Sequence, residues 1–252
     1  MAGHSKWANI KHRKAAQDKK RAKIWTRIIK EITIAARDGG PDLDSNPSLR
    51  LAVQNGKGAN LPKDTIERAI KKGSGAEAAN LQSYTYEGYG PHGIAIYLHA
   101  TSDNINRTVA NVRSIFTKNN GSLGTNGSLR YVFETKGVFT IPNESISDWD
   151  KDELELELID GGAEEVELDD ENLTVFTSFD QYGDMQSKLQ ELNITPTSTE
   201  IQQIPLNTKK LELTDAEEVL KIIDKFEEDD DIQSVFHNLE LTEELIAKLE
   251  DN

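Results

Sequence analysis

Cysteine is absent from the 252 residues. Disulfides and thiolate metal sites are thereby excluded, and a reducing, cytoplasmic setting fits. No apolar run approaches the roughly 20 residues of a membrane span. The opening MAGHSKW lacks the apolar stretch of a secretory signal. A mitochondrial transit peptide is the lesser reading, because the basic stretch runs straight into a helical pattern. Catalytic signatures are missing too: there is no G-x-S-x-G elbow, no H-E-x-x-H and no P-loop. GYGPHG has the letters of G-x-G-x-x-G, but it lies between two predicted strands, so the pyrophosphate-binding logic of a strand-to-helix turn does not apply. The five histidines (His4, His12, His92, His99 and His237) offer no clustered ligand spacing. The acidic runs FEEDDD and ELDDEN lack the glycine and terminal Glu of a calcium loop. The expectation is a non-enzymatic protein with no metal, no cofactor and no small-molecule substrate.

What the chain has is charge, unevenly divided. The formal net charge is −15, yet residues 1–75 hold 17 Lys plus Arg against 7 Asp plus Glu, leaving 12 against 37 in the remainder. The first 30 residues carry ten basic side chains and one acid, Asp18. A basic segment on an acidic chain points to a polyanionic partner, with nucleic acid first. A solvated helix face is the bland alternative, and it suits a single Lys-rich helix better than this density of charge.

The organisation reads as three units. Residues 20–38 predict an amphipathic helix, with Ile24, Trp25, Ile28, Ile29, Ile32, Ala35 and Ala36 on one side and Lys19, Lys20, Lys23, Arg27 and Lys30 on the other; Arg21 breaks the pattern. Asn46 with Pro47 predicts the start of a second helix, with Leu49, Ala52 and Val53 inward. Pro62 opens a third, with Ile66, Ala69 and Ile70 inward and Gly73 as its C-terminal cap. Residues 1–78 thus form a basic helical domain ending in the linker GSGAEAAN. The period then changes. YTYEGYGPHGIAIYLHA predicts two strands about a Gly/Pro turn, a helix follows with Val109, Val112, Ile115 and Phe116 buried, and LRYVFE after a Gly/Asn-rich loop predicts a further strand. From Gly137 the order is β-α-β-β-α-β, that of a ferredoxin-like unit. A helix (DAEEVLKIIDKFEED) and a strand (IQSVFHNLEL) come after it. The expected fold class is α+β and multidomain: the helical domain, a mixed α/β domain of residues 79–135 plus 209–252, and a ferredoxin-like domain of residues 136–208 inserted within it.

The candidate nucleic-acid contacts follow from the charge. Lys6, Lys11, Arg13, Lys14, Lys19, Lys20, Lys23 and Arg27 are placed to neutralise phosphates, with His12 among them. Trp7 either stacks on an exposed base or anchors the arm on the helix; Trp25, on the apolar side, belongs to the core. A possible second contact is SDNINRT, where Asn104, Asn106 and Arg107 crowd a helix start, together with Arg130 after the Gly loop. Arg107 opposes the helix dipole there; it either pairs with Asp103 or reaches a bound anion. GSLGTNG precedes a strand, so a plain turn is favoured over an anion-binding nest of backbone amides.

These stretches resemble the YebC family of bacterial proteins and its mitochondrial relative, a translational activator of cytochrome oxidase. The similarity covers nearly the whole chain. It rests on MAGHSKWANIKHRKAAQDKKRAKIWTRIIKEI, NLPKDTIERAIKKGSG, YEGYGPHGIAIYLHATSDNINRTVANVR, GSLGTNGSLRYVF and DIQSVFHNLEL. The resemblance implies a three-domain fold with the last domain inserted in the second, and basic contacts at Lys6, Lys11, Arg13, Lys14, Lys19, Lys20 and Arg21. Its functional implication is twofold. One is a probable DNA-binding transcriptional regulator. The other is a ribosome- or ribosomal-RNA-binding translation factor that helps stalled synthesis, particularly at proline runs. The residues themselves do not choose between DNA and RNA.

Overall fold

The computed structural model describes residues 17–75 and 80–251, with side chains over 22–75 and 80–248. Three helices come first. In α1 (Gln17–Gly39), Ile28, Ile32 and Ala36 recur every four residues and are buried. They meet Leu49, Ala52 and Val53 of α2 (Pro47–Gly58) and Ile66 and Ala69 of α3 (Lys63–Gly73) in one apolar core. Asn46 caps α2 as its sequence announces: its side-chain oxygen accepts from the Leu49 amide at 3.0 Å, and its Nδ2 donates back to the carbonyls of Ala35 and Gly40. Gly73 is not the cap expected of it. It lies inside α3, Ser74 follows as the cap, and a Cβ at Gly73 would sit 2.4 Å from the Thr33 carbonyl oxygen. The glycine lets α3 close on α1.

Two four-stranded antiparallel sheets follow. The first has the order β3-β1-β2-β8, from β1 (Gln82–Tyr89), β2 (Ala95–Ser102), β3 (Ser122–Leu123) and β8 (Ile232–His237). Alternation along β2 sends Ile96 and Leu98 to one face. There they pack on Val112 and Phe116 of α4 (Ile105–Lys118) and on Val219, Ile222, Ile223 and Phe226 of α7 (Leu213–Glu228), with Leu245 of α8 (Glu243–Asp251) at the margin. The second sheet has the order β5-β6-β4-β7, from β4 (Phe133–Pro142), β5 (Ala163–Leu168), β6 (Asn172–Ser178) and β7 (Ser198–Pro205). Helices α5 (Lys151–Asp160) and α6 (Tyr182–Glu191) cover it through Leu154, Leu158, Met185 and Leu189. Numbered within the unit, its strands lie 2-3-1-4 with a helix after the first and third, the ferredoxin-like arrangement. This sheet is inserted in sequence between β3 and β8 of the other, and the molecule is a mixed α+β fold with a helical N-terminal region.

One predicted element is redrawn. LRYVFE is not a strand of the first sheet. Residues 126–132 run as turns, with Gly127 at φ +85°, and Phe133 opens a single ten-residue strand that continues through the predicted GVFTI. Leu129 and Phe133 turn inward against Ala95, so the apolar letters of this stretch serve a buried turn.

Candidate nucleic-acid interface

Where its side chains are described, at Lys23, Arg27 and Lys30, the basic side of α1 is partly buried against the rest of the chain. Lys30 donates through Nζ to the Thr101 carbonyl at 3.0 Å and lies 3.6 Å from the Asp231 carboxylate, tying α1 to the ends of β2 and α7. One turn earlier, Arg27 is held in a crowded cleft where its Nε finds no hydrogen-bond partner. Burial pulls its guanidinium down, with Glu227, Glu200 and Glu31 pulling it back up. Lys23 is half-buried; burial and then Arg27 lower its ammonium, and Asp230, Glu227 and Asp229 oppose. Lys23 and Arg27, expected at the polyanion, are partly withdrawn from solvent among the chain's own acids: Asp230, Glu227 and Asp229 about Lys23, and Glu227, Glu200 and Glu31 about Arg27. Lys30 pairs with an acid of the same chain, while Lys23 and Arg27 lie in the field of the chain's own carboxylates with burial the larger influence on each.

Glu31 joins the same cleft. Desolvation and then Glu200 push its carboxyl up to about 7, while Arg27 works the other way. More than a third of its surface still reaches solvent, so screening blunts that displacement. On the second helix of the bundle, Asn55 reads the edge of β7 as a strand would. Its Nδ2 donates to the Thr199 carbonyl at 3.0 Å, and its Oδ1 accepts from the Thr199 amide at 3.1 Å. Gly58 allows the approach, since a Cβ there would lie 2.4 Å from the Thr197 carbonyl oxygen. The helical unit is thus bonded to both sheets, through Lys30 to one and Asn55 to the other. Sequence reasoning missed Asn55 because the bond spans 144 residues and nothing local marks it.

Of the proposed arm contacts, Lys6, Trp7, Lys11, His12, Arg13 and Lys14 lie outside the described residues, as do the side chains of Lys19, Lys20 and Arg21, whose backbone belongs to α1. Trp25 packs against the bundle core and donates through Nε1 to the Ala59 carbonyl at 3.0 Å.

The second candidate cluster divides. Asn104 is the N-cap of α4, accepting from the Arg107 amide at 3.1 Å. Asn106 is exposed. Arg107 is committed internally: its Nη2 lies 2.9 Å from one Asp231 oxygen and 3.0 Å from Asp103. Asp231 is the hub, accepting also from Thr108 Oγ1 at 2.8 Å and Ser102 Oγ at 3.1 Å while only 7% exposed. Burial raises the Asp231 carboxyl, but the bonds from Arg107, Thr108 and Ser102 and the charge of Lys30 hold it below the ordinary range. The Gly-rich loop does form a nest of amides, and the anion in it is the chain's own Glu87. That carboxylate, 5% exposed, accepts from the Gly127 amide at 2.7 Å and the Leu129 amide at 2.6 Å. Arg130, just beyond, is exposed, with its guanidinium carbon 4.4 Å above the ring of Tyr131. Tyr131 is itself 75% exposed, a feature hidden while LRYVFE read as a strand.

Comparison with known proteins places the whole chain. Residues 5–76 match the TACO1/YebC protein N-terminal domain, and residues 81–239 match the TACO1/YebC second and third domain. A probable transcriptional regulatory protein of Amoebophilus asiaticus is 47% identical over 241 residues, covering 95% of this chain and 98% of the relative. One of the same description from Halothermothrix orenii is 44% identical over 252 residues, covering 99% of each. The crystal structure of a conserved hypothetical protein from Aquifex aeolicus superposes with a TM-score of 0.81 at 38% identity, covering 93% of this chain and 96% of that one. With a helical N-terminal unit, two α/β units and matches across nearly all of its length, the chain belongs to the TACO1/YebC family.

Proposed function

We propose that the protein is a non-enzymatic, cytoplasmic, nucleic-acid-binding regulator of gene expression whose basic N-terminal segment makes the contact. The observation that carries this reading is the charge left after internal pairing. Setting aside Lys23, Arg27 and Lys30, which lie among the chain's own acids, the first 21 residues still hold seven cations (Lys6, Lys11, Arg13, Lys14, Lys19, Lys20 and Arg21) against Asp18 alone. The phosphates of a nucleic acid would give such a density of cations its counter-charge. Trp7 and His12 stand among them as groups able to touch base or phosphate. Lys23 and Arg27 act indirectly in this proposal, holding α1 on the body so that the segment leaves it in a fixed direction. The corresponding units are residues 1–78, residues 79–135 with 209–252, and an inserted unit of 136–208, with β4 (Phe133–Pro142) running across the 135/136 boundary.

The names of the relatives, probable transcriptional regulatory proteins, favour DNA as the target. The second reading is a translation factor that binds the ribosome or its RNA and relieves stalling, for example at proline runs. The exposed ring of Tyr131 favours it, because folded RNA offers unpaired bases and duplex DNA does not. Crosslinking in cells, followed by sequencing of the attached nucleic acid, separates the two. Promoter DNA supports the regulator and ribosomal RNA the translation factor. Recovery of neither above the level given by a Lys11→Ala/Arg13→Ala/Lys14→Ala variant refutes both.

A further inference from the structure

We propose that Tyr131 and Arg130 form a stacking platform for one unpaired nucleobase of a single strand, a second contact apart from the N-terminal segment; the proposal rests on the nucleic-acid reading above. Single exposed apolar side chains are ordinary on protein surfaces. This ring differs in three respects. It is the most exposed large hydrophobic side chain among the described residues, at 75%. Its one face carries the Arg130 guanidinium at 4.4 Å, and Arg130 also donates to the Tyr131 hydroxyl, so the ring is held as half of a sandwich with the other face open.

The third respect is rigidity. Glu87, buried in β1, fixes the turn through the amides of Gly127 and Leu129. Leu129 is fully buried, and its carbonyl accepts from the Val132 amide at 2.8 Å. Val132 in turn accepts from the Leu206 amide at 2.9 Å. The residues on both sides of Arg130 and Tyr131 are therefore anchored, and little ordering entropy remains to oppose binding. Leu206, 55% exposed, adds apolar surface beside the turn. A base laid on the open face of Tyr131 would complete a base–Tyr–Arg stack. Bases inside a duplex present no free face, so the chemistry selects unpaired nucleotides, whether of RNA or of DNA.

The test uses the full chain and fluorescence anisotropy with three probes of one sequence: a single-stranded RNA, the single-stranded DNA and the DNA duplex. Tyr131→Ala is expected to weaken single-strand binding about tenfold, to leave duplex binding within about twofold, and to leave the salt dependence unchanged. Tyr131→Phe keeps the ring and is expected to restore single-strand affinity. Comparing RNA with DNA says which backbone the site prefers. Wild-type single-strand affinity in Tyr131→Ala overturns the platform, as does equal damage from Tyr131→Phe. So does a variant that keeps its nucleic-acid affinity while losing a protein partner, which would make the ring a protein-docking residue. The failure of the two proposals looks different. A silent Tyr131→Ala beside a damaging Lys11→Ala/Arg13→Ala/Lys14→Ala removes the platform alone, and the opposite pattern removes the N-terminal contact alone. Because Tyr131 is exposed, an unchanged thermal melt is expected and separates lost contact from lost folding.

Discussion

Replacing Asp231 by Asn keeps the shape of the side chain and removes its charge. The wild-type carboxylate, 7% exposed, accepts from Arg107 at 2.9 Å, Thr108 at 2.8 Å and Ser102 at 3.1 Å, with Lys30 at 3.6 Å. A hydrogen bond to a charged group contributes about 1.5–3 kcal/mol, and stranding a partner of a buried ion pair costs about 3–5 kcal/mol. The Arg107 side chain is 48% exposed and rehydrates, which pulls the figure toward the lower range. The expected loss is thus about 2–3 kcal/mol, read as a lower urea midpoint for the sheet that contains β8. Lys30 loses its anion at the same time, so amide exchange in α1 should quicken along with that of β8. The dependence on pH carries its own sign. Asp231 is held below its ordinary value, so its contribution is present above the unfolded carboxyl pKa of about 3.9 and is lost as the pH falls through the lower folded value. Wild type and Asp231→Asn should converge in acid and diverge near neutrality. A double variant with Arg107→Met should be less destabilised than the sum of the single changes. A midpoint change in Asp231→Asn equivalent to under about 0.5 kcal/mol at pH 7 would refute the hub.

Two further outcomes follow from the contacts of the helical unit. Asn55→Ala removes both bonds to Thr199 and should cost about 1–2 kcal/mol, with faster proteolysis at the exposed β7 edge; resistance equal to wild type would count against the docking. Glu31→Gln should raise stability at pH 8 and leave it nearly unchanged at pH 4. The folded Glu31 carboxyl is raised to about 7, so its stabilising contribution is complete below the unfolded pKa and disappears as the pH climbs through 7. An equal effect at both pH values, measured by urea unfolding, would contradict this.

Local rules carried much of the fold. The spacing of Ile28, Ile32 and Ala36, the Asn46–Pro47 start signal and the β-α-β-β-α-β order each depend on residues within a turn or a strand of one another, and all three are present in the structure. What stayed hidden depends on distant partners. The basic face of α1 reads as free because its counter-charges at Glu227–Asp231 lie some 200 residues away. GSLGTNG reads as a plain turn because Glu87, which fills its nest of amides, sits on another strand. LRYVFE has strand composition, but residues 129–132 form a turn whose Leu129 packs inward, and only from Phe133 does the chain enter a strand. Periodicity reports which residues are buried; it does not report whether a charged face meets solvent, a ligand or the chain itself.

The proposal that the N-terminal cations hold a polyanion is tested most directly by the salt dependence of nucleic-acid binding. With about five phosphates contacted, log affinity should fall with log salt at a slope of about −4, and Lys11→Ala/Arg13→Ala/Lys14→Ala should flatten it to about −2. A variant that keeps both the wild-type slope and the wild-type affinity would contradict it.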